Sequence, residues 1–272
     1  MATVIVANDL VGVGKVALTS SLPIMSACQT EVLPLPTVLL SSHTGEFENI
    51  YMRDLTDDLK GFYKQWEHLD FTVDGLVSGY FKSREELKIV GQLARDKRIA
   101  LFVDPIMGDN GRLYQGFDME YVEAMKDFCQ QADAIIPNLT EASLLTDSPY
   151  LEVGSYDEAT IEKLLRELSK LGPRKVILTG ISFKTDKIGL AYFDKETNKT
   201  TYLMRKSYKS HFYGSGDLVT AILASGYFHH LNLLKVANLA LDFMDQVLSS
   251  TLASGRPLKY GLCYEPHIGY LF

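Results

Sequence analysis

Ile99-Ala100-Leu101-Phe102-Val103 is apolar throughout and stands between two segments of helical spacing, Arg84–Asp96 and Met119–Gln131. It reads as a strand at the middle of an alternating series. Before it come Gly75–Ser78, a short buried strand, Asp54–Trp66, an amphipathic helix, and Glu31–Leu40, an extended stretch in which Pro34 and Pro36 exclude helix. Earlier still, Thr3–Ala7 reads as an apolar strand and Gly14–Ala27 as a helix. After it come the strand Ala134–Ile136, the helix Glu158–Leu171 and the strand Val176–Thr179. Strands alternating with helices of roughly 10–15 residues imply right-handed crossovers and a mostly parallel sheet with helices on both faces. Two later strands, Lys187–Phe193 and Thr200–Met204, flank the polar turn Asp194–Lys199 and predict an antiparallel hairpin at a sheet edge. Helices Asp217–His230 and Leu234–Leu252 finish the series. With no repeat, low-complexity tract or Pro/Gly/Ser linker to divide the chain, the expected fold is α/β: a single three-layer αβα domain over residues 1–272.

Composition narrows the function classes. A chain of 272 residues with 46% hydrophobic content can bury a sizeable core. It has no apolar run of membrane-spanning length, and Met-Ala-Thr-Val-Ile-Val-Ala lacks the basic flank of a signal peptide, so no membrane association and a cytoplasmic location are expected. Cys28, Cys129 and Cys263 are odd in number and far apart, which argues for buried thiols over disulfides or a zinc site. The net charge of −7 argues against a nucleic-acid partner, so any phosphate must be gripped locally by amides and a metal.

Such a grip is legible at Gly214-Ser215-Gly216-Asp217, which runs directly into the apolar stretch Leu218–Phe228. Unpaired N–H groups and the positive end of the helix dipole converge there, glycines admit a close anion, and Asp217 in the first turn could accept a proton from an attacking hydroxyl. The plainer alternative is a glycine turn with an acid complementing the dipole.

In open α/β sheets ligands bind beyond the carboxyl ends of strands, and polar residues follow each predicted strand. Asn8 and Asp9 follow the first. Asp104, before Pro105, either starts a turn or addresses Mg²⁺ and its waters. Asn138-Leu139-Thr140-Glu141 is either a capping box alone or also places Glu141 toward metal-bound water and Asn138 toward phosphate. His43 is either a buried neutral imidazole or a partner for a ring hydroxyl, and Tyr80 is either core or a stacking surface. Gly12-Val13-Gly14-Lys15-Val16 fails as a phosphate loop, because Asp9 stands where the first glycine belongs and Val16 where the metal-binding hydroxyl belongs. The same glycines fit a dinucleotide fingerprint loosely, with Glu31 as ribose partner.

In chain order, Asn8-Asp9 with Gly12 and Gly14, Ser42-His43-Thr44-Gly45, Ser78-Gly79-Tyr80-Phe81, Val103-Asp104-Pro105-Ile106-Met107-Gly108-Asp109, Pro137-Asn138-Leu139-Thr140-Glu141, Ile177-Leu178-Thr179-Gly180 and Gly214-Ser215-Gly216-Asp217 make a recognisable set. The set resembles the ribokinase superfamily, and within it the pyridoxal (vitamin B6) kinase branch. The resemblance implies a ribokinase-like domain and ATP-dependent phosphorylation of the 5′-hydroxymethyl group of pyridoxal, pyridoxine or pyridoxamine. It implies Asp217 as catalytic base, with Gly214, Ser215 and Gly216 as the anion hole. Asn138, Thr179 and Asp104 are implied at ATP and its phosphates, and Glu141 and Asp104 at Mg²⁺, mainly through water. Asn8, Asp9, His43, Thr44 and Tyr80 are implied at the pyridine substrate. A monovalent cation such as K⁺ and a homodimer are further implications. Ser42, where the branch commonly has Asn, and Lys82, where glycine is usual, depart from the pattern. The alternatives are a hydroxymethylpyrimidine kinase, a catalytically silent B6-binding or sensing protein and, more distantly, a nicotinamide-binding protein.

Overall fold

The computed structural model describes residues 1–271. The chain separates into two units, Met1–Lys82 with the chain from Tyr208 onward, and Ser83–Ser207. The first unit opens with β1 (Ala2–Val13), α1 (Ala17–Ala27), β2 (Thr30–Ser42), β3 (Met52–Asp54), α2 (Thr56–Trp66) and β4 (Gly75–Ser78). The second contains α3 (Arg84–Lys97), β5 (Ala100–Val103), the small hairpin β6 (Gly108–Asp109) and β7 (Arg112–Leu113), α4 (Met119–Cys129), β8 (Ala134–Ile135), α5 (Leu139–Leu145), α6 (Glu158–Leu171), β9 (Lys175–Lys184), β10 (Lys187–Asp194) and β11 (Lys199–Lys206). The chain then returns to the first unit with α7 (Ser215–Phe228) and α8 (Leu233–Ala253), followed by short 3₁₀ turns at Leu258–Tyr260 and Glu265–Leu271.

In the first unit the strands run in the order β4-β1-β2-β3. β1 is parallel to both β2 and β4, whereas β3 adds antiparallel to β2. Val4, Ile5, Val6 and Ala7 lie where β1 has neighbours on both sides, and all four are buried, as expected for a strand of a parallel sheet. β4 stops at Ser78, opposite Ala7, but β2 stays beside β1 as far as Val13 opposite Ser42. Asn8 and Asp9 therefore lie inside a strand and not in the loop expected after Ala7. α1 correspondingly begins at Ala17, not at Gly14. The ladder shifts register between Asn8 and Leu10, which pair with Pro36 and Leu39, so two residues of β2 oppose the single Asp9. Bulges of this kind re-aim side chains.

In the second unit β5 and β8 are parallel, as are β8 and β9, and the order continues through β10 to β11. β9–β10 and β10–β11 are antiparallel, which gives the hairpin expected at residues 187–204, with β11 last in the order. Helices lie between strands in the sequence as the α/β reading requires. α3 starts at a capping box in which Ser83 Oγ accepts the Glu86 N–H at 3.3 Å and Glu86 Oε2 accepts the Ser83 N–H at 3.2 Å. α5 starts at a second box, Asn138 with Glu141. The three cysteines are free, but only Cys129 is fully buried, while Cys28 and Cys263 are half-buried. Among the described residues no helix is long and apolar enough to cross a membrane.

Glu86 is a fully buried carboxylate whose capping bond meets a backbone donor at the helix start. Glu86→Ala is expected to cost about 1–3 kcal/mol, because it leaves that donor unmet, while Glu86→Gln retains an acceptor and loses much less. Denaturant unfolding of the two variants checks this. Equal losses would remove the cap from the account.

Candidate active site

The first unit holds Gly214, Ser215, Gly216 and Asp217 at the start of α7. Gly214 is the N-cap at φ 86°, in the left-handed region, and a Cβ there would collide with the Lys15 carbonyl oxygen. A glycine is required on both counts. Having no side chain with which to cap α7, Gly214 leaves the first-turn N–H groups to other acceptors. The Ser215 hydroxyl turns back to donate to the Phe212 carbonyl at 3.2 Å, so this residue offers the site its amide. At Gly216 a Cβ would meet open space, and nothing in the protein demands a glycine there.

The Asp217 carboxyl is half-buried and accepts hydrogen bonds from the Ala17 N–H and the Asn8 side chain. Burial pushes its pKa up, and those two donors, with the residue's own amide, pull it back. Ala17 makes its bond from a backbone at φ 50°, unusual for a residue with a side chain. Asp9, on the register shift of β1, is more deeply buried, and burial together with the nearby Asp217 pushes it up to about 8. Two carboxyls that cannot both ionise cheaply are thereby sorted. The donors at Asp217 favour its charged form, and Asp9, pushed up to about 8, holds a proton at neutral pH.

Asn8 is buried beside them, and its Oδ1 accepts the Tyr80 N–H at 2.7 Å. Tyr80 is half-buried, packed against the cluster Val11, Ala17, Val38 and Leu40. His43 is buried with both ring nitrogens engaged. Nδ1 accepts the Gly45 N–H at 3.1 Å, so Nε2 carries the proton and donates to the Lys259 carbonyl at 2.6 Å. Its ring stacks on Tyr213 at 4.7 Å and meets Phe47 edge-on at 4.9 Å, and burial lowers its pKa. Of the two possibilities for His43, the structure gives the neutral buried imidazole. Thr44, next to it, is exposed. Lys15 ion-pairs with Glu265 at 2.5 Å, and Gly12 lies inside β1, so the glycines near residue 12 form no phosphate loop. Glu31 accepts the Thr3 hydroxyl at 2.9 Å near the start of β2, the wrong end of that strand for a ribose partner.

The second unit holds Asp104, Asn138, Glu141 and Thr179. Asn138 Oδ1 accepts the N–H groups of Thr140 at 2.8 Å and Glu141 at 3.0 Å, and Nδ2 donates to the Gly108 carbonyl at 2.9 Å. Glu141 Oε2 accepts the Asn138 N–H at 2.8 Å and Oε1 the Met107 N–H at 3.3 Å. The capping box is present, but it does not neutralise the acid. Burial, then the Asp104 carboxylate, and more weakly Asp109, push Glu141 well above the usual carboxylate range. Asp104 is itself buried at the end of β5. Two buried carboxylates side by side are the chemistry that a divalent cation neutralises. Both Glu141 oxygens already accept backbone N–H groups, which suits a metal met through water. Among the described residues no group of three or more His, Cys, Asp or Glu converges as a metal cage, so a Mg²⁺ ion here would take its remaining ligands from phosphate and water. Thr179 bridges to Asn138, and its hydroxyl donates to the Pro137 carbonyl at 3.3 Å.

The sequence missed Ala17, whose backbone N–H holds Asp217, and Tyr213, which joins His43 to the turn before α7. No side-chain pattern marks a backbone donor, but an aromatic directly before the Gly-Ser-Gly-Asp motif was a visible signal.

Residues 56–260 match the family model of phosphomethylpyrimidine kinase. A solved structure of a candidate phosphomethylpyrimidine kinase of Bacteroides thetaiotaomicron, crystallised with pyridoxal, is 30% identical, with a TM-score of 0.94 over 99% of this chain and 95% of that one. The pyridoxal kinase of Lactobacillus plantarum is 31% identical, with a TM-score of 0.92 over 100% of this chain and 96% of that one. Among curated relatives, the pyridoxal kinase of Dictyostelium discoideum is 26% identical over 248 residues, 84% of this chain and 79% of that protein. The fold is therefore the ribokinase-like α/β fold.

Two outcomes follow from the geometry. Gly216→Ala is expected to keep or raise the melting temperature while lowering turnover, since only a bound anion needs that space, whereas Gly214→Ala is expected to lower both. Unchanged turnover in Gly216→Ala would take the anion away from this turn. Asp9 is pushed up to about 8 in the fold from the 3.8 of an unfolded carboxyl, so its contribution is intact below about pH 4 and is lost as pH rises toward 8. Asp9→Asn is thus expected to leave the melting temperature unchanged near pH 4 and raise it by about 2 °C or more at pH 8. An equal change at both pH values contradicts the assignment.

Proposed function

The chain belongs to the phosphomethylpyrimidine kinase family, and on that premise we propose that it is a pyridoxal kinase, transferring the γ-phosphoryl group of ATP to the 5′-hydroxymethyl group of pyridoxal, pyridoxine or pyridoxamine. The observation that carries this reading is the Asp217 carboxylate in the first turn of α7, directly behind Gly214, Ser215 and Gly216 and held by the Ala17 N–H, the Asn8 side chain and its own amide. A binding or sensing protein has no need of a carboxylate held by donors beside an uncapped helix start.

In this reading Asp217 takes the proton of the acceptor hydroxyl as it attacks, and the amides of Gly214, Ser215 and Gly216 meet charge developing on the phosphoryl oxygens. Burial raises the pKa of Asp217, which makes it a better base than an exposed carboxylate, and its hydrogen-bond donors favour the charged form. Asp104 and Glu141 hold Mg²⁺ with ATP, mainly through water, and Asn138 and Thr179 meet phosphate. Mg²⁺ when bound neutralises charge on the nucleotide phosphates. Asp9, Thr44 and Tyr80 belong to the acceptor side, and His43, with its nitrogens engaged, serves there by holding the loop. The family match runs through both units, which supports one kinase domain over residues 1–272. A cytoplasmic homodimer aided by K⁺ completes the proposal.

A relative from Aquifex aeolicus, a hydroxymethylpyrimidine/phosphomethylpyrimidine kinase, points to a second acceptor, a hydroxymethylpyrimidine, whose phosphorylation would use the same groups. ADP release with Mg-ATP and a panel of the three B6 vitamers and hydroxymethylpyrimidine separates the two, with pyridoxal expected to turn over fastest. Asp217→Asn is expected to lower kcat by roughly 10²–10⁴ with little change in melting temperature. Near-normal turnover in that variant, or no ADP release with any acceptor, defeats the kinase reading.

A further inference from the structure

Asn8 has one carboxamide, and three groups of the first unit use it. Its Oδ1 accepts the Tyr80 N–H at 2.7 Å and the Asp9 N–H at 3.0 Å. Two backbone donors at one end settle which end is oxygen, so the Nδ2 end is the one that donates to the Asp217 carboxyl. The amide is also confined sideways, since a Cβ on Gly79 would collide with its Cγ, Nδ2 and Oδ1. Where β4 ends, Asn8 thus replaces a ladder partner for Tyr80 and presents a donor to α7.

We propose that Asn8 is a positioning residue for the reaction: its Nδ2–H, aimed by the Tyr80 and Asp9 amides, orients the Asp217 carboxylate toward the acceptor hydroxyl. This inference rests on Asp217 as the base, and it gives Asn8 a different task from the acceptor contact that the sequence pattern implies. The groups facing Asp217 are Asp9 from β1, the Ala17 N–H from α1 and the Asp217 amide itself from α7. Asp9 is the titratable one among them. Asn8 is the neutral side-chain donor in the set, and its bond favours the charged form of the base.

The test is the pH dependence of kcat with Mg-ATP and pyridoxal for Asn8→Ala and Asn8→Asp. Losing the donor is expected to move the acid limb of the profile up by about one pH unit in Asn8→Ala. A larger shift is expected in Asn8→Asp, which keeps both accepted bonds but sets a carboxylate against Asp217. KM for pyridoxal is expected to change less than about threefold, as for a group that acts through the base. In an Asp217→Asn background, Asn8→Ala is expected to cause no further loss of kcat. A raised KM with an unmoved limb would assign Asn8 to acceptor binding and overturn the proposal. A pH-independent fall in kcat would overturn it as well. If Asn8→Ala does not fold, the near-isosteric Asn8→Asp is judged by the same criteria. Normal turnover in Asp217→Asn alone defeats the underlying reading, and that result is obtained before Asn8 is altered.

Discussion

β1 keeps β2 as a neighbour for its whole length but loses β4 after Ala7, and the chemistry of the first unit grows from that one-sided strand. Backbone groups on the side that β4 abandons need partners. Gly79 supplies one through its N–H to the Ala7 carbonyl at 2.8 Å, and the Asn8 side chain supplies the next by accepting from Tyr80. The register shift against β2 falls in the same place and turns Asp9 inward. A polar nest inside an otherwise apolar layer results, with the start of α7 and the first residue of α1 brought against it.

Each unit buries a pair of acids, and each resolves the repulsion differently. Asp9 and Asp217 divide the labour, because Asp217 has more donors and Asp9, with only its own amide, is pushed up to about 8 and stays protonated at neutral pH. Asp104 and Glu141 are less easily separated. Glu141 takes two backbone N–H groups and is still pushed well up by burial and by Asp104, so ionising both acids is costly without a cation beside them. Both arrangements reduce stability locally, as expected where charge is held ready for chemistry and not for packing.

Much of this was legible in the sequence. Gly75–Ser78 and Glu158–Leu171 match β4 and α6 residue for residue, since buried apolar runs and amphipathic periodicity are local properties. The box at Asn138–Glu141 was legible too, and the structure makes it a cap and an acidic pocket at once. Other features were beyond local reading. β1 outran its expected end because β2 stays alongside, and that depends on pairing between distant segments. β3 and the β6–β7 hairpin are too short to carry a period. The acceptor for His43 Nε2–H is Lys259, 216 positions away, and the partners of Asp217 are a backbone amide and a residue near the other end of the chain. Side-chain identities announced the motif, but not what aims it.

The left-handed backbone at Ala17 carries a consequence for adaptation to heat. A non-glycine residue there gives up about 1 kcal/mol, and glycine would relieve that strain while making the unfolded chain looser. Lineages under selection for thermal endurance would therefore gain little at this position by either route.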